Sequence, residues 1–162
     1  MERNVGICFI VKLLLGLLMS MMIMCVPLVQ IKGTPEQRML AYIVAAIFWL
    51  SIIGQLITSI VCKKILMKRE PKKFLFRRVY NGHMSVFRFF SNKEALIVDI
   101  GFIGCAILVV VTILFEITNK WLVITFVASL VLFFNLHCIL NGKNYECIKL
   151  LQIYKKEHKE NE

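Results

Sequence analysis

Four long apolar stretches, separated by shorter polar segments, dominate the pattern of the chain. They cover about residues 5–29, 39–62, 95–117 and 121–140. Each is as long as the roughly 20 apolar residues that a helix needs to cross the hydrocarbon core of a bilayer. We therefore predict an all-α membrane protein, a four-transmembrane-helix bundle in which residues 1–162 form a single polytopic domain.

The composition agrees with this pattern and narrows the classes of function. Hydrophobic residues make up 59% of the chain, and its mean hydropathy is +0.74. The longest segment outside the stretches, residues 63–94, is too short to fold alone without disulfides or a metal. A soluble catalytic domain, such as a Rossmann unit or a P-loop domain, is therefore excluded.

The first apolar stretch raises the question of a secretory signal peptide, because a basic start precedes it. No pair of small residues at cleavage-site spacing follows the stretch, and Met24 rather than a small residue precedes Cys25. We therefore expect this segment to be retained as a transmembrane helix.

The net charge of +10 is concentrated in the loop formed by residues 63–94, which carries half of the 20 Lys and Arg residues. Basic loops stay on the cytoplasmic side of a membrane. We therefore predict a multi-pass protein of the cell membrane with this loop in the cytoplasm and, since there are four spans, with both termini there as well. The tail, residues 142–162, is nearly neutral.

The same basic loop predicts contact with the anionic headgroups of the inner leaflet, at about 1 kcal/mol for each basic residue near the surface. Because membrane topology accounts for the charge, no nucleic-acid partner is expected. The residues assigned to this lipid contact are Lys72, Lys73, Arg77, Arg78 and Arg88.

Two local structures fit the centre of the loop. Asn81-Gly82 lies between two aromatic, β-prone runs, which is the strongest short signal for a β-hairpin. The two-residue register would place Phe74 opposite Phe89. The alternative is a basic amphipathic helix that breaks at Asn81-Gly82. We favour the hairpin and leave the helix open.

The strongly polar residues inside the predicted spans all lie toward the end that carries the basic loop. Ionisable groups within a span are costly to bury and usually find partners within the protein. We therefore expect these residues to form an intramembrane polar cluster. Its predicted members are Lys12, Gln55, Asp99, Asn135, His137 and Asn141.

Lys12 and Asp99 have opposite charges at similar depths, so they are a natural pair; alternatively, the long Lys12 side chain extends to the membrane surface. His137 can add a hydrogen bond. A structural role for Asp99 is favoured over a proton-transfer or substrate role. Asn141-Gly142 predicts a helix end with glycine after the cap, followed by a short surface helix over residues 145–156.

The cysteine pattern predicts neither disulfides nor metal ligation. The six cysteines show no Cys-x-x-Cys pair, and those inside apolar stretches behave as small apolar residues. No cofactor is expected.

Three functions remain. The favoured one is a non-catalytic accessory, regulatory or immunity-like partner of another membrane protein, or of a second copy of the chain. An oligomeric small transporter or channel that uses Lys12, Asp99 and His137 is the first alternative, although no strongly polar residue lines the outer half. A membrane enzyme acting on lipid headgroups is the second, although no HExxH or acid-rich metal motif is present.

Overall fold

The computed structural model describes residues 2–29, 33–67, 89–90 and 92–159, and within these it is helical with no strand. Two 3₁₀ turns, Val26–Leu28 and Lys93–Ala95, accompany the α-helices. The α-helices are α1 (Glu2–Met24), α2 (Pro35–Met67), α3 (Leu96–Leu114), α4 (Lys120–Leu140) and α5 (Lys143–Lys159).

Four helical segments are long and apolar enough to cross a membrane, which confirms the predicted number of candidate spans. Helix α2 has 33 residues and is longer than the predicted stretch, since it continues past Lys63 and Lys64. Two charged residues end an apolar run but do not end a helix, because lysine is a good helix former. The four segments are Asn4–Leu28, Pro35–Met67, Lys93–Leu114 and Lys120–Leu140.

The start of α2 is fixed by local sequence. The Thr34 N–H donates to Gln37 Oε1 at 3.1 Å, and the Gln37 N–H donates to Thr34 Oγ1 at 3.4 Å. This reciprocal pair is a capping box, with Pro35 as the first helical residue. Hydrogen bonds between residues three apart in the chain therefore define where α2 begins.

The four long helices pack in the spatial order α2–α1–α4–α3, and each is antiparallel to its neighbour. Within the described ranges, the outer helices α2 and α3 make no extensive contact with each other, so the bundle is an open one. One end of the bundle, which we call the loop end, contains the start of α1, the end of α2, the start of α3 and the end of α4.

Helix α5 folds back across the loop end. Its Cys147 is fully buried and shares an apolar cluster with Cys8 on α1 and with Cys62 and Leu66 on α2. The Asn144 side-chain amide donates to the carbonyl of Ser59 at 3.2 Å. Helix α5 is therefore anchored to the bundle, and the helix predicted over residues 145–156 is confirmed.

The α3–α4 pair depends on one glycine. A Cβ atom on Gly101 would lie 2.6 Å from the ring of Phe133, whereas a Cβ on Gly104 would meet nothing within 4 Å. The absence of a side chain at Gly101 thus permits the close contact with α4.

Gly142 lies between α4 and α5, directly after the cap residue Asn141, as predicted. It does not take the left-handed conformation usual for such a glycine. A Cβ there would lie 2.7 Å from the backbone oxygen of Cys138. Close backbone approach is therefore the reason that glycine is needed.

Ser20, Thr112 and Thr125 each donate a hydrogen bond to a carbonyl three or four residues earlier in their own helix. These hydroxyls are therefore satisfied without a partner helix.

Candidate functional site

Asp99 and His137 form the centre of the buried polar site. Asp99 Oδ1 and His137 Nδ1 are 2.6 Å apart, and neither side chain has exposed surface. Asp99 lies in the first turn of α3 and His137 in the last turn of α4. Because the two helices run antiparallel, these turns meet at the loop end.

The remaining acceptor of the carboxylate is also occupied. Asp99 Oδ2 accepts the backbone N–H of Phe90 at 2.8 Å. Asn141 Nδ2 lies 3.4 Å from Asp99 Oδ1 and 3.0 Å from His137 Nδ1. Both the imidazolium and the neutral ring with a proton on Nδ1 can donate to Asp99. We call Asp99, His137 and Asn141 the buried triad.

Aromatic rings enclose His137. The Phe89 ring stacks on the imidazole with centroids 4.2 Å apart and planes inclined by 17°. Phe102 and Phe134 flank it, each with a centroid distance of 6.5 Å. These rings keep water away from the polar contact, and hydrogen bonds strengthen electrostatically in such a low-dielectric environment.

Phe90 has a φ of 58°, the left-handed region that a non-glycine residue rarely adopts. This conformation costs about 1–3 kcal/mol. The bond from its N–H to Asp99 and the stacking of the preceding Phe89 on His137 offset that cost. Phe89 and Phe90 are thus held against the α3–α4 pair.

This placement corrects part of the predicted hairpin. Phe89, which was predicted in a strand, lies in a turn and stacks on His137. The burial gained between α3 and α4 exceeds what an exposed two-stranded ribbon offers a phenyl ring. The rest of the hairpin lies outside the described residues, as do the predicted lipid-contact residues Lys72, Lys73, Arg77, Arg78 and Arg88.

A second polar network joins the segment before α3 to α5. Asn92 Nδ2 donates to the Leu140 carbonyl at 3.1 Å, and Asn92 Oδ1 accepts from Lys149 Nζ at 2.9 Å. Lys149 also pairs with Glu94 at 3.0 Å. The hydroxyl of Tyr145 donates to Glu94, and this hydrogen bond is the main reason that the pKa of Tyr145 rises to about 12. We call Asn92, Glu94, Tyr145 and Lys149 the surface network.

Lys12 is not part of the buried triad. No ion pair joins Lys12 to Asp99, although both residues are described. Lys12 is half-buried near the thiols of Cys8, Cys62 and Cys138. Helix α4 lies between α1 and α3 in the packing order, so similar depth along the chain does not bring the two charges together.

Gln55 and Asn135 meet elsewhere, at a crossing of α1, α2 and α4. A Cβ on Gly16 would lie 3.2 Å from Asn135 Cβ and 3.4 Å from Gln55 Nε2. Asn135 Nδ2 donates to the Val131 carbonyl of its own helix at 2.9 Å. The six residues predicted as one cluster therefore divide among three places: the buried triad, this helix crossing and the thiols near Lys12.

Metal ligation has no support in the described part of the chain, where no group of three or more His, Cys, Asp or Glu side chains is placed to hold an ion. None of the six cysteines, all of which lie in the described ranges, forms a disulfide.

The sequence pattern did not identify Phe89, Phe90 or the surface network as parts of the site. Only Asn92 carried a usable signal, since asparagine before an apolar stretch is a favoured N-cap; its Oδ1 accepts the Glu94 N–H at 3.2 Å. The other contacts join residues far apart in the chain.

Compared with known proteins, the chain matches no family model, no curated protein and no solved structure.

Proposed function

We propose that the chain is a non-catalytic, multi-pass membrane protein that acts as an accessory, regulatory or immunity-like partner of another membrane protein. The observation that supports this most is the complete burial of the Asp99–His137 pair. Asp99 and His137 are fully buried, and both carboxylate oxygens of Asp99 are engaged by groups of the protein itself. This buried pair stabilises the contact between α3 and α4, and neither side chain is exposed to a substrate.

Separation of the ionisable residues argues in the same direction. A headgroup enzyme or a proton pathway built on Lys12, Asp99 and His137 requires the three side chains to share one accessible site. Lys12 lies among cysteine thiols, whereas Asp99 and His137 lie between α3 and α4. A structural role for the triad therefore fits the geometry better than catalysis or transport.

The same proposal places the loop end in the cytoplasm, since residues 63–94 carry the basic charge that membranes keep inside. Helix α5 and the surface network then lie at the inner membrane boundary. The basic loop adds attraction to an anionic inner leaflet.

Helix α2 offers the surface for a partner. Trp49, Ile53, Leu56 and Ile60 recur at the spacing of one helix face, and each is at least half exposed. As an outer helix, α2 packs only one side against α1. Within a bilayer, this apolar stripe faces lipid until a partner helix covers it.

The test is photocrosslinking in native membranes with a diazirine amino acid at Leu56 on the stripe. The matched control carries the same probe at Ile107, an exposed position on the other outer helix α3. We expect a discrete protein adduct from Leu56 and only lipid adducts from Ile107, with mass spectrometry separating a different protein from a second copy. Lipid adducts alone at both positions would overturn the proposed contact.

A further inference from the structure

A cavity of about 230 Å³ opens between the buried triad and the surface network. It lies where the candidate span Lys93–Leu114 begins and the candidate span Lys120–Leu140 ends. Its position is therefore level with the headgroups of the adjacent leaflet. The lining residues used below are Asn92, Asn141, Tyr145, Glu146 and Lys149.

Asn141 lines this cavity and carries an acceptor without a hydrogen-bond partner among the described residues. The residue is only 8% exposed, and its Nδ2 is turned toward Asp99 and His137. Its Oδ1 receives no hydrogen bond from the described residues, and the residue itself lines the cavity. Buried amide oxygens are nearly always bonded, so the cavity calls for an N–H or O–H donor.

The charges around the cavity indicate what kind of donor fits. Glu146 lines it and forms no ion pair with any described residue. Lys149, whose ammonium is shared by Glu94 and Asn92, lines the same cavity. The cavity therefore offers two acceptors to a primary ammonium and one cation to a neighbouring anion.

A phosphoethanolamine group has this combination of charges, and it is found at headgroup level as part of phosphatidylethanolamine. The cavity is smaller than the roughly 300–1,000 Å³ of sites for drug-sized ligands, which suits a headgroup. We propose that this cavity binds phosphatidylethanolamine, whose ammonium donates to Asn141 Oδ1 and the Glu146 carboxylate while its phosphate lies near Lys149.

This binding predicts selectivity between headgroups. Phosphatidylcholine carries an ammonium without N–H bonds, so it cannot satisfy Asn141 Oδ1. Phosphatidylglycerol has hydroxyl donors but no cation for Glu146. This inference is independent of the proposed protein partner, because the lipid site lies at the loop end and does not involve the exposed face of α2.

The test uses the full chain in nanodiscs made of equal parts phosphatidylethanolamine, phosphatidylcholine and phosphatidylglycerol. Native mass spectrometry after release into detergent measures which lipid stays bound. We expect phosphatidylethanolamine to be enriched and Glu146→Gln to lower that enrichment about threefold to fivefold, the range of a partly exposed ion pair. Glu36→Gln, in the first turn of α2 at the opposite end, is the matched control and should change nothing.

Circular dichroism and size-exclusion chromatography of Glu146→Gln establish that the variant is folded. Bound lipid with the composition of the nanodisc, or equal loss in Glu146→Gln and Glu36→Gln, would overturn the site. Thermal stabilisation by soluble phosphoethanolamine, without enrichment of the lipid, would overturn the lipid assignment in favour of a free phosphorylated amine.

Discussion

Asp99 Oδ1 and His137 Nδ1 lie 2.6 Å apart with no exposed surface on either side chain. This pair joins the first turn of α3 to the last turn of α4. Through the Phe90 N–H it also holds the end of the basic loop against the helices. The Asp99 carboxylate thus links two helices and a loop. Its effect on stability can therefore be tested by replacing either Asp99 or its partner His137.

Replacing His137 by Phe keeps the stacking with Phe89 but leaves the Asp99 carboxylate buried without its imidazole. Breaking a buried charged pair in this way costs about 3–5 kcal/mol. Asp99→Asn alone removes the charge, keeps an acceptor and costs about 1–3 kcal/mol. We therefore expect the double variant to unfold at a higher denaturant concentration than His137→Phe alone, in equilibrium unfolding in detergent. A double variant no more stable than His137→Phe would show that the uncompensated carboxylate is not the source of the loss.

Gly101→Ala should weaken the α3–α4 contact, because the new methyl group would lie 2.6 Å from the Phe133 ring. Overpacking of this kind costs about 1–3 kcal/mol. Gly104→Ala, one turn away with open space around its Cβ, is the matched control. It should be neutral or stabilising, since alanine favours a helix over glycine. Thermal unfolding of both variants measures the difference, and equal melting temperatures would contradict the close packing at Gly101.

Tyr145 should lose its proton at an unusually high pH, because its hydroxyl donates to Glu94 and its pKa is raised to about 12. A raised pKa means that the folded state retains this proton more tightly than the unfolded one. The hydrogen bond therefore stabilises the fold fully below pH 10, the ordinary tyrosine pKa, and its contribution disappears as pH rises through about 12.

Tyrosinate absorbance measured against pH tests this shift, with Tyr145→Phe identifying the phase by difference. Glu94→Gln removes the carboxylate charge and should move that phase back toward ordinary pH. A highest-pH phase that survives in Tyr145→Phe would assign the shift to another residue.

The orientation proposed for the loop end predicts an accessibility pattern. A single cysteine at Tyr80, in an otherwise cysteine-free chain, should react with a membrane-impermeant maleimide only after the cells are permeabilised. A single cysteine at Thr118, between α3 and α4 at the opposite end, should react on intact cells. Labelling of the Tyr80 position on intact cells would reverse the topology.

The sequence alone contains the information that locates the candidate spans and the start of α2. A span needs only an uninterrupted apolar run, and the capping box between Thr34 and Gln37 involves residues three apart. Helix α5 was also predictable, since the break at Asn141-Gly142 is followed by a helical pattern. Each of these features depends on residues that are close together in the chain, so it can be read from the sequence.

The partner of Asp99 was decided by tertiary structure. Depth along a helix can be counted from the sequence, and on that count Lys12 and His137 were both available to Asp99. The packing order α2–α1–α4–α3 puts His137 on the adjacent helix and separates Lys12 from Asp99 by α4. That order depends on shape at a few contacts, such as Gly101 against Phe133 and Gly16 against Asn135. The hydrophobic pattern determines which segments can cross a membrane, but complementary surfaces determine which helices are neighbours, and therefore which buried charges meet.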